Sequence, residues 1–62
     1  MDRENFRSFQ EKLKNGQKII TTGGIHGTIK RLGEKTVDLE IAKGVVIELD
    51  RFSIRSILAD QD

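Results

Sequence analysis

The sequence predicts a mainly β domain in which one N-terminal α-helix precedes five short strands. Three observations support this fold class. The first 15 residues contain no glycine, proline or β-branched residue and carry apolar residues at helical spacing. From residue 16 onward, apolar and polar residues alternate in short runs, as they do in strands with one buried face. The six glycines all lie between residues 16 and 44 and divide these runs with tight turns, which is typical of a small SH3-like barrel.

The helix is predicted over residues 2–15, and Gly16 is suited to end it. Phe6, Phe9 and Leu13 lie at positions i, i+3 and i+7, so they form one narrow apolar stripe on an otherwise polar helix. Such a stripe can cover the end of the neighbouring sheet, contact a partner protein or drive self-association with a second copy. It cannot form a core alone.

The five strands are predicted in order along the rest of the chain. They cover residues 17–22, 28–32, 36–41, 45–50 and 53–58, with one turn of 3₁₀ helix at 51–53. The alternation assigns these aliphatic residues to the core: Ile19, Ile29, Leu32, Val37, Leu39, Ile41, Val45, Ile47, Leu49, Ile54 and Ile57. The chain therefore divides into a helical connector segment (1–15), a small β-barrel domain (16–58) and a frayed C-terminus (59–62).

Composition excludes several classes of protein. The 62 residues include no cysteine and one histidine, so neither disulfides nor thiolate metal ligands are available, and we predict no metal or cofactor. No run approaches the roughly 20 apolar residues that span a bilayer, so we expect this chain to be soluble. The formal net charge is +1, yet residues 1–35 carry eight basic and four acidic residues, whereas residues 36–62 carry three and six. The N-terminal half is suited to approach an anionic partner, although a solvated surface of mixed charge explains the same pattern.

The segment TTGGIHGT at residues 21–28 is the stretch that most resembles a site. It lacks the G-x-G-x-x-G pattern of dinucleotide sites and the Gly-Lys-Ser/Thr of a phosphate loop, and a strand follows it instead of a helix. His26 could act as a general acid or base, but a threonine hydroxyl beside a histidine, as at Thr22 and Thr28, is common without catalysis, so we predict no catalytic residue. Gly23 and Gly24 are suited to positive φ, and Gly27 to a bend as the next strand begins. Ile25 is either tucked under the barrel rim or, with His26, exposed as a contact for a partner.

Several stretches together resemble the YajC family. They are LKNGQKIITTGGIHGTI at residues 13–29, TVDLEIA at residues 36–42, the apolar strand at residues 45–49, Ser53-Ile54 and Ile57-Leu58. The T-x-G-G-I-H-G motif followed by L-E-I-A is specific to this family, and the match covers most of the chain. One departure is that Gln17 stands where the family usually has an acidic residue.

The resemblance implies a non-enzymatic accessory subunit of the bacterial Sec preprotein translocase, associated with SecD and SecF. Such subunits usually carry one N-terminal transmembrane helix, a basic connecting segment and a compact domain at the cytoplasmic face of the inner membrane. This chain lacks the transmembrane helix, so we expect it to be the soluble part of such a protein. The alternative is that it is a naturally soluble relative of the family. The candidate partner contacts are then Ile25, His26, Phe6, Phe9 and Leu13.

A nucleic-acid-binding module is the alternative function. The glycine spacing before alternating strands also resembles KOW-type SH3-like domains, and four basic residues are available for phosphate: Lys18, Lys30, Arg31 and Lys35. The chain has no tyrosine or tryptophan and only three phenylalanines, so side chains for base stacking are scarce. The net charge near zero is also unusual for such modules. Nucleic acid is therefore the less favoured partner.

Overall fold

Five strands of one antiparallel sheet make up most of the structure, a computed structural model that describes residues 9–59. The strands are β1 (Lys18–Thr21), β2 (His26–Leu32), β3 (Thr36–Ala42), β4 (Val45–Asp50) and β5 (Ile54–Ala59), with a 3₁₀ turn at Arg51–Ser53. Their order across the sheet is β4-β3-β2-β1-β5. The predicted mainly β class with five strands is confirmed. The predictions for Phe6 and for residues 60–62 lie outside the described residues.

The sheet is not closed into a complete barrel. Each of β1, β2 and β3 lies between two neighbouring strands, whereas β4 and β5 each have one neighbour and form the two edges. The 3₁₀ turn connects these edges at the predicted position. The Asp50 side chain caps the turn, since its Oδ1 accepts a hydrogen bond from the Phe52 backbone at 2.8 Å. The barrel is therefore loose, with an open seam between β4 and β5.

The core lies on one face of the sheet, as the alternation predicts. Val37 and Leu39 of β3 stand opposite Leu49 and Ile47 of β4, and all four side chains belong to the same cluster. The buried apolar residues that the structure describes are Leu13, Ile19, Ile29, Val37, Leu39 and Ile54. Phe9, Leu32, Ile47, Leu49 and Ile57 are partly buried against them. Each buried aliphatic side chain contributes about 1.5–3 kcal/mol relative to its exposed state.

The core prediction was wrong for Ile41 and Val45, which are 37% and 47% exposed. The register of β3 against β4 shifts between Glu40 and Ala42, so Ile41 has no partner across this ladder. Such a bulge inserts one residue into a strand and turns the following side chains away from the face that strict alternation assigns them. The tip of the hairpin therefore extends beyond the core.

The helix ends earlier than predicted: residues 9–11 are helical, and the chain turns at Lys12. Gln17 explains the difference. Its Oε1 accepts a hydrogen bond from the Lys14 backbone at 3.0 Å, and its Nε2 donates to the Lys12 carbonyl at 2.9 Å. The Gly16 backbone N–H donates instead to Ile29 of β2, at 2.7 Å. The backbone N–H and carbonyl groups that a longer helix would pair internally are thus hydrogen-bonded by the Gln17 side chain and by β2.

Candidate partner-binding site

The loop between β1 and β2 is held in one conformation by Thr21. The Thr21 backbone N–H donates to the Ile25 carbonyl at 2.9 Å, and its Oγ1 accepts a hydrogen bond from the Ile25 N–H at 3.1 Å. Its carbonyl accepts from the Gly24 N–H at 2.9 Å. Gly24 has a φ of 89°, a value that a residue with a Cβ rarely adopts. One threonine therefore fixes both ends of this short connection.

A second contact joins the loop to the residue that precedes β5, the strand next to β1. The Thr22 N–H donates to the Ser53 carbonyl at 2.7 Å, so the loop lies beside the 3₁₀ turn that carries Phe52. Positive φ is observed at Gly24 and not at Gly23, so the prediction for Gly23 was wrong. The loop is short and tied down at both ends, which limits the motion of the side chains it presents.

Ile25 and His26 are both exposed at this loop. Ile25 is 45% exposed, which answers the open question about its side chain: it is not tucked under the rim. His26 begins β2, opposite Ile20, so β2 starts two residues earlier than predicted. Within residues 9–59, no hydrogen bond or ion pair is observed for the His26 side chain. An aliphatic and an imidazole side chain are thus presented together on a fixed backbone, and we name them the loop tip.

Gly27 has a different role from the bend that the sequence suggested. A Cβ on Gly27 would lie 2.5 Å from Leu39 Cγ and 2.9 Å from the Glu40 carbonyl oxygen. Both distances are far below van der Waals contact, so only glycine fits between β2 and β3 here. The close approach lets Leu39 fill the core directly beneath the loop tip.

The helix stripe is used differently along its length. Leu13 is buried in the core, and Phe9 is partly buried against it. Of the three roles predicted for the stripe, Leu13 and Phe9 have the first: they pack against the sheet of their own chain. Their apolar surface is therefore not offered to a partner in this fold, and among the described candidates the exposed contacts are those of the loop tip.

A groove of about 450 Å³ lies next to the loop tip, at the end of the sheet where the β3–β4 hairpin turns. Ile41 of β3 and Leu58 of β5 supply its exposed aliphatic side chains, whereas Ile19 of β1, which also borders it, is fully buried. Its charged and imidazole groups are Lys18, His26, Glu40 and Lys43. We name it the hairpin groove. No pattern in the sequence indicates this groove, because two of its residues, Ile41 and Leu58, fall at register shifts between strands.

A polar network that the sequence did not predict fixes the helix to the sheet. Arg51 donates three hydrogen bonds: to Gln10 Oε1 at 2.9 Å, to the Gln10 carbonyl at 2.9 Å and to the Gly33 carbonyl at 2.7 Å. Asn15 Oδ1 also accepts from the Leu32 N–H at 3.0 Å. The partners are 17 to 41 residues apart, and no local pattern in the sequence signals such contacts. The network joins the helix and the segment before β1 to the sheet.

The basic residues considered for nucleic acid are partly matched by acids of β3. Lys30 Nζ lies 3.7 Å from Glu40 Oε1, and Arg31 stands opposite Asp38 in the β2–β3 pairing. Such pairs reduce the local positive potential that phosphate contacts need. Across the described range, no group of three or more histidine, aspartate and glutamate residues is arranged to bind a metal ion. Likewise, none of the helical residues described forms a segment long and apolar enough to cross a membrane.

Comparison with known proteins identifies the family. The model of YajC, preprotein translocase subunit, matches residues 2–58, which is nearly the whole chain. This chain belongs to the YajC family. The sequence-based resemblance is thus confirmed, and the loop tip with its preceding glycines lies inside the matched range. No solved structure matches the chain significantly.

Curated YajC relatives are longer than this chain. A Sec translocon accessory complex subunit YajC from Aquifex aeolicus is 40% identical over 60 residues, which cover 97% of this chain and 56% of the relative. The subunit YrbF from Bacillus subtilis is 36% identical over 53 residues, covering 86% and 60%. A YajC from Mycobacterium bovis is 42% identical over 53 residues, covering 84% and 46%. The chain therefore spans about half the length of the relatives it matches.

Proposed function

We propose that this chain is the folded domain of an accessory subunit of the Sec protein-translocation machinery, and that it acts as a non-enzymatic protein–protein interaction module. The observation that carries the proposal is the family match over residues 2–58, together with curated relatives named as Sec translocon accessory subunits. The partners we propose are SecD and SecF. The domain would act at the cytoplasmic face of the bacterial inner membrane, anchored by a transmembrane helix of the full-length protein.

The loop tip is the contact surface we propose. Interface anchors are exposed apolar side chains on a backbone that needs little ordering when the partner binds. Ile25 meets both conditions, since it is 45% exposed and its backbone is bonded to Thr21 on both sides. Self-association through the helix is not part of the proposal, because Leu13 and Phe9 pack against their own core.

Truncating the loop tip tests this function. We expect Ile25→Ser, in a full-length membrane-anchored form, to reduce co-purification of SecD and SecF about tenfold, since a central apolar anchor contributes more than about 1 kcal/mol. Val46→Ser is the matched control, because Val46 is 50% exposed on β4, outside the loop and the hairpin groove, and we expect it to bind normally.

Two results would argue against the proposal. If the anchored wild-type form captured neither SecD nor SecF, the partners would be wrong. If single-stranded RNA instead caused salt-dependent shifts in the amide signals of Lys30 and Arg31, the nucleic-acid function would replace it. The pairing of these residues with β3 makes us expect no such shifts.

A further inference from the structure

Two bulges direct aliphatic side chains into the hairpin groove. Ile41 falls at the register shift between β3 and β4. Leu58 falls at a second shift, because Lys18 pairs with Ala59 while Ile19 pairs with Ile57. Both residues are exposed, and both line the groove. Bulges re-aim side chains and are frequent next to functional sites, so two that converge on one groove indicate a binding surface.

The charge of the groove is positive once its internal contacts are counted. The carboxylate of Glu40 is already engaged: Oε1 lies 3.7 Å from Lys30 Nζ, and Oε2 accepts a hydrogen bond from the Gly44 N–H at 3.0 Å. Within residues 9–59, no ion pair is observed for Lys18 or Lys43. These two ammonium groups therefore remain available to an anionic ligand at the groove.

We propose that the hairpin groove binds an acidic peptide segment of a partner protein, in which aliphatic side chains alternate with carboxylates. The aliphatic side chains would contact Ile41 and Leu58, and the carboxylates would approach Lys18 and Lys43. This inference rests on the proposed function as an interaction module and adds the chemistry that the module recognises. It concerns a surface beside the loop tip, with His26 at the border of the two.

The shape of the groove favours a peptide over an anionic membrane surface. Its volume of about 450 Å³ lies within the range of sites that enclose small ligands, about 300–1,000 Å³, and is sufficient for a few side chains. Binding to a bilayer instead requires apolar side chains that project into the acyl region. Here Ile41 and Leu58 share one groove with Lys18 and Lys43.

A direct binding measurement tests the inference on this chain alone. The probe is a short fluorescein-labelled peptide in which glutamate and leucine alternate, followed by fluorescence anisotropy. We expect Lys18→Gln with Lys43→Gln to weaken binding about fivefold or more, as two charge contacts at a margin allow. The matched control, Lys14→Gln with Lys35→Gln, removes the same charge away from the groove and is expected to bind like the wild type.

A second pair of variants tests the contact between the peptide and the aliphatic side chains of the groove. We expect Ile41→Thr to weaken binding and Val46→Thr to leave it unchanged, because Val46 is similarly exposed but does not line the groove. A peptide with glutamine in place of glutamate is expected to bind poorly. Equal effects of the two lysine pairs would mean non-specific attraction and would overturn the inference.

The two proposals fail in distinguishable ways. Co-sedimentation with vesicles of phosphatidylglycerol and phosphatidylcholine, without any binding of the acidic peptide, would replace the peptide with a membrane surface. If the anchored form captured SecD and SecF while the domain ignored the peptide, the groove inference would be rejected and the proposed function would stand. If the anchored form captured neither subunit and the domain did not bind the peptide, both the proposed function and the groove inference would be rejected.

Discussion

The absence of a side chain at Gly27 lets β2 approach β3 closely and so positions the proposed contact surface. The residue directly before it belongs to the loop tip, and the side chain beneath it is the fully buried Leu39. Any larger residue would force β2 away from β3. The loop tip is therefore supported by a glycine that is plain in the sequence, although the contacts that require it are with Leu39 and Glu40, in the next strand.

Replacing Gly27 with alanine is expected to lower the free energy of unfolding by about 1–3 kcal/mol, the usual cost of overpacking a tight site. The added Cβ would meet Leu39 at 2.5 Å and the Glu40 backbone at 2.9 Å. Urea denaturation measures the loss. Gly23→Ala is the control, because its Cβ would meet only Thr21 Oγ1, at 3.9 Å, and its φ is not positive. Equal stability of the two variants would contradict the role assigned to Gly27.

At the scale of elements, Arg51 joins three parts of the fold. The 3₁₀ turn that carries it contacts the end of the helix through Gln10 and the β2–β3 turn through Gly33. The Arg51 backbone N–H also donates to the Lys35 carbonyl at 3.0 Å. The planar guanidinium donates to Gln10 Oε1, the Gln10 carbonyl and the Gly33 carbonyl at once, which an ammonium group cannot do.

We therefore expect Arg51→Lys to destabilise the domain by about 1–3 kcal/mol, although the charge is unchanged. The loss should be accompanied by altered amide signals at Gln10 and Gly33 in NMR spectra. Arg55→Lys serves as the comparison, since Arg55 is exposed on β5, and we expect a change within about 0.5 kcal/mol. If both variants unfolded at the same denaturant concentration, the network would not contribute as we describe.

The element scale also shows what the sequence could and could not predict. Val37 and Leu39 were assigned to the core correctly, because alternation along a regular strand determines the face. Ile41 was assigned wrongly, since a bulge depends on pairing with a second strand and not on the residues of one. Gln17 ended the helix through its side chain, and neither propensity nor periodicity reveals that contact. The loop tip was recognised from its motif, whereas the hairpin groove required the assembled sheet.

At the scale of the whole molecule, stability should be highest in the middle of the sheet. β2 and β3 each lie between two strands and carry the fully buried Ile29 and Leu39. The edges β4 and β5 are each paired on one side only. Local opening is easiest where few neighbours hold a strand.

Native-state hydrogen exchange measures this distribution. We expect the slowest amides to be those of β2 and β3, and the amides of Val45 and Val46 near the hairpin tip to exchange much faster. The same measurement should show early opening of the helix end at residues 9–11, because this short turn is held by the partly buried Phe9 and by the hydrogen bonds between Gln10 and Arg51. Equal protection of the amides from exchange in all five strands would contradict this expectation, since it would mean that the edge strands β4 and β5 are held as firmly as the central ones.

The pairing of β1 with β5 has a consequence for how this domain is made. Lys18 pairs with Ala59 and Thr21 with Ile54, so the first strand to leave the ribosome lies beside the last one. Chains emerge from their N-termini, yet β1 has no partner on that side until residues 54–59 have been translated. The Arg51 contacts to Gln10 likewise form only near the end of synthesis. Complete folding therefore follows translation of nearly the whole domain and does not proceed strand by strand with it.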